Sequence, residues 1–130
     1  MPSVIRPGLP CIRFDTMRDD KELRWIGASY DDLLGFPDDV RRKAGFQLGK
    51  VQAGLDPDDW RPFGEVGRGA REIRLRDVAG VFRVIYVATF EEAIYVLHCF
   101  QKKTEVTAES DKDIAEARYR AIVRTRKATR

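Results

Sequence analysis

Histidine and cysteine are scarce in this chain: one of the first, His98, and two of the second, Cys11 and Cys99, among 130 residues. A single histidine removes multi-histidine metal centres from consideration. Cys11 and Cys99 lie far from any metal-binding or redox spacing and are expected as free thiols. No apolar run approaches the roughly 20 residues that cross a bilayer. The opening residues lack the basic-then-apolar pattern of a signal segment, so a cytoplasmic protein is expected. Glycine-rich phosphate loops are missing too, because Gly64, Gly67 and Gly69 are not followed by the lysine or helix such loops require. Four Asp-Asp pairs, at 19–20, 31–32, 38–39 and 58–59, scatter over loops and helix starts and read as caps and solvated surface. Neither metal nor cofactor is expected, and no internal repeat is seen.

What is present suits one globular domain: 43% hydrophobic and 35% charged residues at a length that can bury a core unaided. The net charge is +3 but unevenly spread. Residues 1–70 carry 11 basic and 12 acidic side chains, and residues 71–130 carry 13 and 9. From Arg118 to Arg130 there are six basic side chains and no acidic one. Such asymmetry points to a polyanion or an acidic protein as partner, or to a helix C-terminus made soluble and favoured by its dipole.

Pro2, Pro7, Gly8 and Pro10 make residues 1–20 an extension that is loosely ordered or docks late. The domain proper is expected over 21–130. Lys21 to Ile26 suits a short strand, and Ser29 or Asp31 can cap a brief helix that Gly35 ends. Pro37-Asp38-Asp39 is a helix start. From it Val40, Ala44, Leu48, Val51 and Leu55 fall on one apolar stripe, with Phe46 off it. Gly45 and Gly49 cost helix stability and suggest close packing nearby. Asp56 to Gly69 reads as a loop. In Arg71-Glu72-Ile73-Arg74-Leu75-Arg76 the period changes to 2, as a half-buried strand requires. Val81 to Thr89 and Ala93 to Phe100 are apolar strands joined by short turns, making an antiparallel meander. A helix from about Ser110 to Lys127 should pack Ile114, Ala117, Ala121 and Ile122 inward. The expected fold is α+β: a small antiparallel sheet with N-terminal helices and a C-terminal helix packed on it, the helices segregated to one side.

Arg74, Arg83, His98, Lys102 and Lys103 come from adjacent strands of the meander or just past it. Arg83 interrupts the apolar run Val81–Tyr86, where a charge needs a partner or an opening. Either Glu72 on the next strand pairs with it, or it faces a groove. His98 breaks a second apolar run and has the one unperturbed pKa near neutrality. It is a satisfied core histidine or a proton carrier, and Cys99 beside it points to the opposite face. Lys102 and Lys103 at a strand exit suit phosphate contacts, or simply add solubility. Cations beside a sheet can bind a phosphodiester and stabilise the charge that develops on attack. They need no metal if a ribose 2′-hydroxyl is the nucleophile.

Leu23–Ser29 with Asp31, Asp32 and Leu33 resembles the opening of phage-derived HigB-like toxins of the RelE/ParE superfamily. Phe36–Arg42, Glu72-Ile73-Arg74, Phe82–Tyr86 and Tyr95–Thr104 are similar to the segments that follow, over roughly residues 21–125 and in the same order. The resemblance implies a RelE-like fold and the toxin of a type II toxin–antitoxin pair. Such toxins are typically metal-independent endoribonucleases that cut messenger RNA on the ribosome and are held inactive by a helix-turn-helix, HigA-like antitoxin. It further implies that Arg83, His98, Lys102 and Lys103 form the catalytic set and that Arg74 and Arg76 contact RNA. Arg118 and Arg124 of the basic C-terminal helix would meet ribosomal RNA. A ParE-like gyrase inhibitor and a non-catalytic RNA- or protein-binding module are the competing expectations.

Overall fold

The computed structural model describes residues 21–102 and 107–128. The expected extension at 1–20, Cys11 and Lys103 therefore lie outside the described residues. Eight elements follow in order: β1 (Glu22–Trp25), α1 (Ser29–Leu34), α2 (Asp38–Gln52), β2 (Trp60–Pro62), β3 (Ala70–Asp77), β4 (Gly80–Val87), β5 (Ala93–Lys102) and α3 (Glu109–Ala128). The strands form one sheet in the order β1-β5-β4-β3-β2. The expected meander is its centre: β3, β4 and β5 pair antiparallel. β1 joins the far edge parallel to β5, from Glu22 opposite Ala93 to Trp25 opposite Val96, so the sheet is mixed.

Two departures concern the elements. Within the segment read as a loop, Trp60–Pro62 pairs with β3 as an edge strand. The proline and glycine signals there are real, but Pro62 closes the strand at an edge, where its missing N–H costs no ladder bond. The helices also cover both faces rather than one. α1 and α2 pack Leu33, Phe36, Val40, Ala44, Leu48 and Val51 against Ile73, Leu75, Phe82, Val84 and Val96. α3 packs Ala115 and Ile122 against Ala70, Ile85, Val87, Tyr95 and Leu97 on the opposite face. Alternation in the central strands makes this possible, since β4 and β5 are apolar on both sides.

Local chemistry accounts for the helix ends. Pro37 occupies the N-cap of α2, and Asp38 and Asp39 fill its first turn, paired with Arg41 and Arg42. Leu55 does not continue the buried stripe; the helix ends at Gln52, and Leu55 is 56% exposed. A Cβ on Gly49 would meet nothing, so close packing does not explain that glycine. Neither Ser29 nor Asp31 caps α1, whose N-cap is Ala28. Ser29 is buried, and its hydroxyl donates to the Val96 carbonyl at 3.0 Å, tying the helix to β5.

Candidate functional site

The register of β2 to β5 builds the site row by row. Arg61, Glu72, Ile85 and His98 lie opposite one another across four strands; Arg74, Arg83 and Phe100 form the next row, and Arg76, Val81 and Lys102 the one beyond. Residues directly opposite in a sheet share a face, so Arg61, Arg74, Arg76, Arg83, His98 and Lys102 all stand on the α3 side. Between Ile85 and Tyr86 the pairing slips, leaving Leu97 as the extra residue of a β-bulge. The bulge turns both Leu97 and His98 toward α3 and returns Cys99 to the opposite core. Burial pushes the Cys99 thiol well above its ordinary range, which suits a packing residue rather than a nucleophile.

At the centre is Glu72, with no exposed surface. Its Oε1 accepts from Arg61 Nε at 2.8 Å and Arg83 Nη1 at 2.5 Å, and its Oε2 from the Thr107 hydroxyl at 3.0 Å. Arg83 thus makes the ion pair that the sequence names as one of its two readings. Only 7% of it is exposed, and its Nε has no hydrogen-bond partner among the described residues. Arg61 lies over Phe63, 4.4 Å from the ring centroid, with its outer side in solvent. In the next rows Arg74 Nε and Arg76 Nε share Asp59, at 2.8 and 3.3 Å. Among the described residues Arg61 and Arg83 thus meet Glu72, and Arg74 and Arg76 meet Asp59, so these four guanidiniums share two carboxylates. Arg76 is the most exposed of the four, with 66% of its side chain in solvent.

His98 is 5% exposed. Its Nε2 lies 2.8 Å from Asp111 Oδ1 in the first turn of α3, and its ring stacks on Phe100 at 5.1 Å. Its Nδ1 has no hydrogen-bond partner among the described residues and lies 4.0 Å from Asp32 Oδ2 on α1. The histidine therefore sits where α1, β5 and α3 converge. α3 then runs back along β5, its last turn bound to the β4–β5 connection through Arg126 and Glu92 at 2.7 Å. The two outer rows of cations lie beyond the helix's first turn.

The two C-terminal arginines are placed differently from the rest. Arg118 turns inward: its Nη1 donates to the Leu97 carbonyl at 2.8 Å, satisfying the acceptor that the bulge leaves over. It also fills the space beside Gly27, where a Cβ would come within 2.7 Å of its Nε. Arg118 is half-buried in this setting, with its guanidinium engaged by the sheet. Arg124 is exposed, on the part of α3 nearer the β4–β5 connection than the cation rows. Arg120 and Arg126 are paired with Glu116 and Glu92. Among the described residues of the basic run, Arg118, Arg120 and Arg126 are thus tied to the protein, while Arg124 and Lys127 are exposed.

Sequence reasoning missed Arg61, Asp59, Thr107, Asp32 and Asp111. Arg61 and Asp59 stood in the segment read as a loop, and nothing in its spacing placed them beside Glu72. Asp111 at one helical turn's reach from His98 had no signal without the packing angle of α3.

Among the described residues no group of three or more His, Cys, Asp or Glu side chains is placed to hold a metal ion, and no helix is long and apolar enough to cross a membrane. No curated protein matches the chain. A family described as phage-derived protein Gp49-like (DUF891) matches residues 31–120, which span α1 to the middle of α3 and include every cation of the three rows. With more than half of its length so matched, the chain belongs to the phage-derived Gp49-like family.

Proposed function

We propose that this protein is the toxin of a type II toxin–antitoxin pair and cuts messenger RNA on the ribosome without a metal. The observation that carries the reading is the grouping of Arg74, Arg76 and Lys102 on one face at one end of the sheet, with Arg74 and Arg76 held side by side by Asp59. Family membership supports it, since a phage-derived family is compatible with such a toxin.

In this reading Arg61, Arg74 and Arg76 hold the scissile phosphate, and Lys102 with Lys103 carries protons at the strand exit. The ribose 2′-hydroxyl attacks phosphorus and gives up its proton; the bond to the 5′-oxygen breaks, and that oxygen receives a proton. The products are a 2′,3′-cyclic phosphate and a free 5′-hydroxyl. Guanidiniums fixed in advance stabilise the extra negative charge of the transition state without reorganising. Arg83 and His98, both buried, act as positioning residues: Arg83 through Glu72 on Arg61, and His98 through Asp111 and Phe100 on the end of β5. A HigA-like helix-turn-helix antitoxin, binding over the same face, would neutralise the cations and block RNA.

The burial of Arg83 and His98 in ion pairs favours a second reading, binding without cleavage, as in a gyrase inhibitor. Inducing the chain alone in a bacterium separates them, with RNA ends mapped by sequencing and protein and DNA synthesis followed separately. Early translation arrest with new cuts inside translated messages is the expected outcome, and Arg74→Ala with Arg76→Ala should lower cutting about a hundredfold. Arrest of replication with messages intact would move the assignment to gyrase, and no arrest from soluble protein would leave a binding module.

A further inference from the structure

Phe46, the aromatic residue of α2, points away from the helix's buried stripe and belongs to neither core. With 64% of its surface in solvent it is the most exposed aromatic ring among the described residues. Residues three and four apart are neighbours on a helix surface, so the ring is set among Arg42, Lys43, Gly49 and Lys50, three cations and a glycine. Lys50 Nζ lies 5.9 Å from the ring centroid. A Cβ on Gly49 would meet no atom within 4 Å, so the space beside the ring is open. That glycine costs the helix stability without any packing to explain it. Arg42, Lys43 and Lys50 pair with Asp39, Asp77 and Asp58 at the surface, where such pairs carry little energetic weight.

Lys43 links this ring to the cation rows, because its Nζ donates to the Arg76 carbonyl at 2.8 Å. Past the Arg74 N–H, which donates to the Asp59 carbonyl, β3 has no strand on its outer side among the described residues. Asp58 and Asp59 form the rim between the two faces there. Asp58 is bound by Gln47 and Lys50 of α2, and Asp59 by Arg74 and Arg76. Phe46 and the guanidiniums thus stand on opposite faces but at the same narrow edge, and a single strand held by Arg74 and Arg76 reaches the ring by turning round it.

We infer that Phe46 is a stacking platform for an unpaired base of the RNA, placed outside the cation rows; the inference rests on the RNA-cutting function proposed above. Stacking on an aromatic ring accepts any base, because every base has a π-face. The cations around the ring hold the phosphates on either side of the stacked base. A protein partner is matched less well, since the centre of an interface is apolar and depleted of charge, and the ring's neighbours on the helix are charged or lack a side chain. The platform adds a grip on the RNA that does not depend on the scissile phosphate.

The test measures the affinity of the full chain, at low salt, for a fluorescent single-stranded 2′-O-methyl RNA, which lacks the attacking hydroxyl, and for an abasic strand with the same backbone and length. Each variant is first matched to the native chain in circular dichroism and urea midpoint. Phe46→Ala should weaken binding of the RNA about tenfold and leave the abasic strand unchanged. Phe46→Trp should keep the native affinity and Phe46→Leu should not, whereas Arg74→Ala with Arg76→Ala should weaken both strands alike. An equal loss on both strands in Phe46→Ala, or native affinity in Phe46→Leu, would overturn the platform while leaving the RNA-cutting function standing. No loss in Phe46→Ala would overturn it as well and return the ring to a protein partner. Unchanged affinity in the double arginine variant would place the RNA elsewhere, with the same consequence. A native chain that binds neither strand would also remove the platform, and RNA ends mapped after induction would then decide the cutting function separately.

Discussion

One carboxylate without exposed surface organises the site at the residue scale. Glu72 neutralises Arg83 and orients Arg61 at once, so removing the acid strands a buried guanidinium. Glu72→Ala should cost about 3–5 kcal/mol in urea unfolding, because an unpaired buried charge is far more expensive than the pair is favourable. Gly27 is a second point of sensitivity: its φ is +58°, and Arg118 occupies the space a side chain would need. Gly27→Ala should lose about 1–2 kcal/mol from the left-handed backbone alone, measured the same way, with the displaced guanidinium adding to it. The first of these residues was half legible. Alternation along β3 put Glu72 on a wet face, whereas the lone arginine in the apolar run of β4 pointed straight to it as partner. What alternation could not supply was the cover over that face, which Arg61 and Thr107 bring from elsewhere in the chain.

Among the elements, α3 was the hardest to read and is the most conditional part of the fold. Its expected apolar face fails at Ile114 and Ala117, which are exposed, while Ala115 and Ile122 are buried. Arg118 and Tyr119 share the inward side, the first through Leu97 and the second through a hydrogen bond from its hydroxyl to the Arg68 carbonyl at 2.9 Å. A helix seated by polar tips shows little periodicity, so hydropathy misplaced its inward face. By contrast α2, with an apolar stripe and acidic first turn, was legible nearly to its end. The polar seating also has a pH signature. Hydrogen bonds from Arg126 and Tyr95 hold the Glu92 carboxyl down to about 2, from an ordinary 4.5. Because the folded value is the lower one, the tie contributes fully above pH 4.5 and is lost as pH falls toward 2. Hydrogen exchange should show the last turns of α3 loosening in that window, by about 1 kcal/mol given the partial exposure of the pair. Glu92→Gln should loosen them already at neutral pH and flatten the dependence.

For the whole molecule, the proposed function would depend on the cations gathered at one end of the sheet. Affinity for single-stranded RNA should fall steeply with salt as released counterions are lost as a driving force. Arg74→Ala with Arg76→Ala should reduce the slope of log affinity against log salt by about 1–2; a slope unchanged in the folded double variant would place the RNA elsewhere. The fold class was readable at this scale, since the meander and both long helices announce themselves. The mixed edge was not, because pairing between the first strand and the last depends on closure of the whole chain. That closure bears on when the fold is complete. Arg24 meets Tyr95 across 71 residues of sequence, so β1 leaves the ribosome about 4–14 s before its partner at ordinary rates of synthesis. Until then the first strand made has nothing to pair with, and long-range parallel pairing is slow to form even afterwards. The cation rows, built from strands that adjoin in sequence, can assemble first, whereas the parallel edge that β1 forms with β5 is completed last. A nascent chain would thus carry its row of cations on an open meander before the sheet beneath them is closed at its far edge.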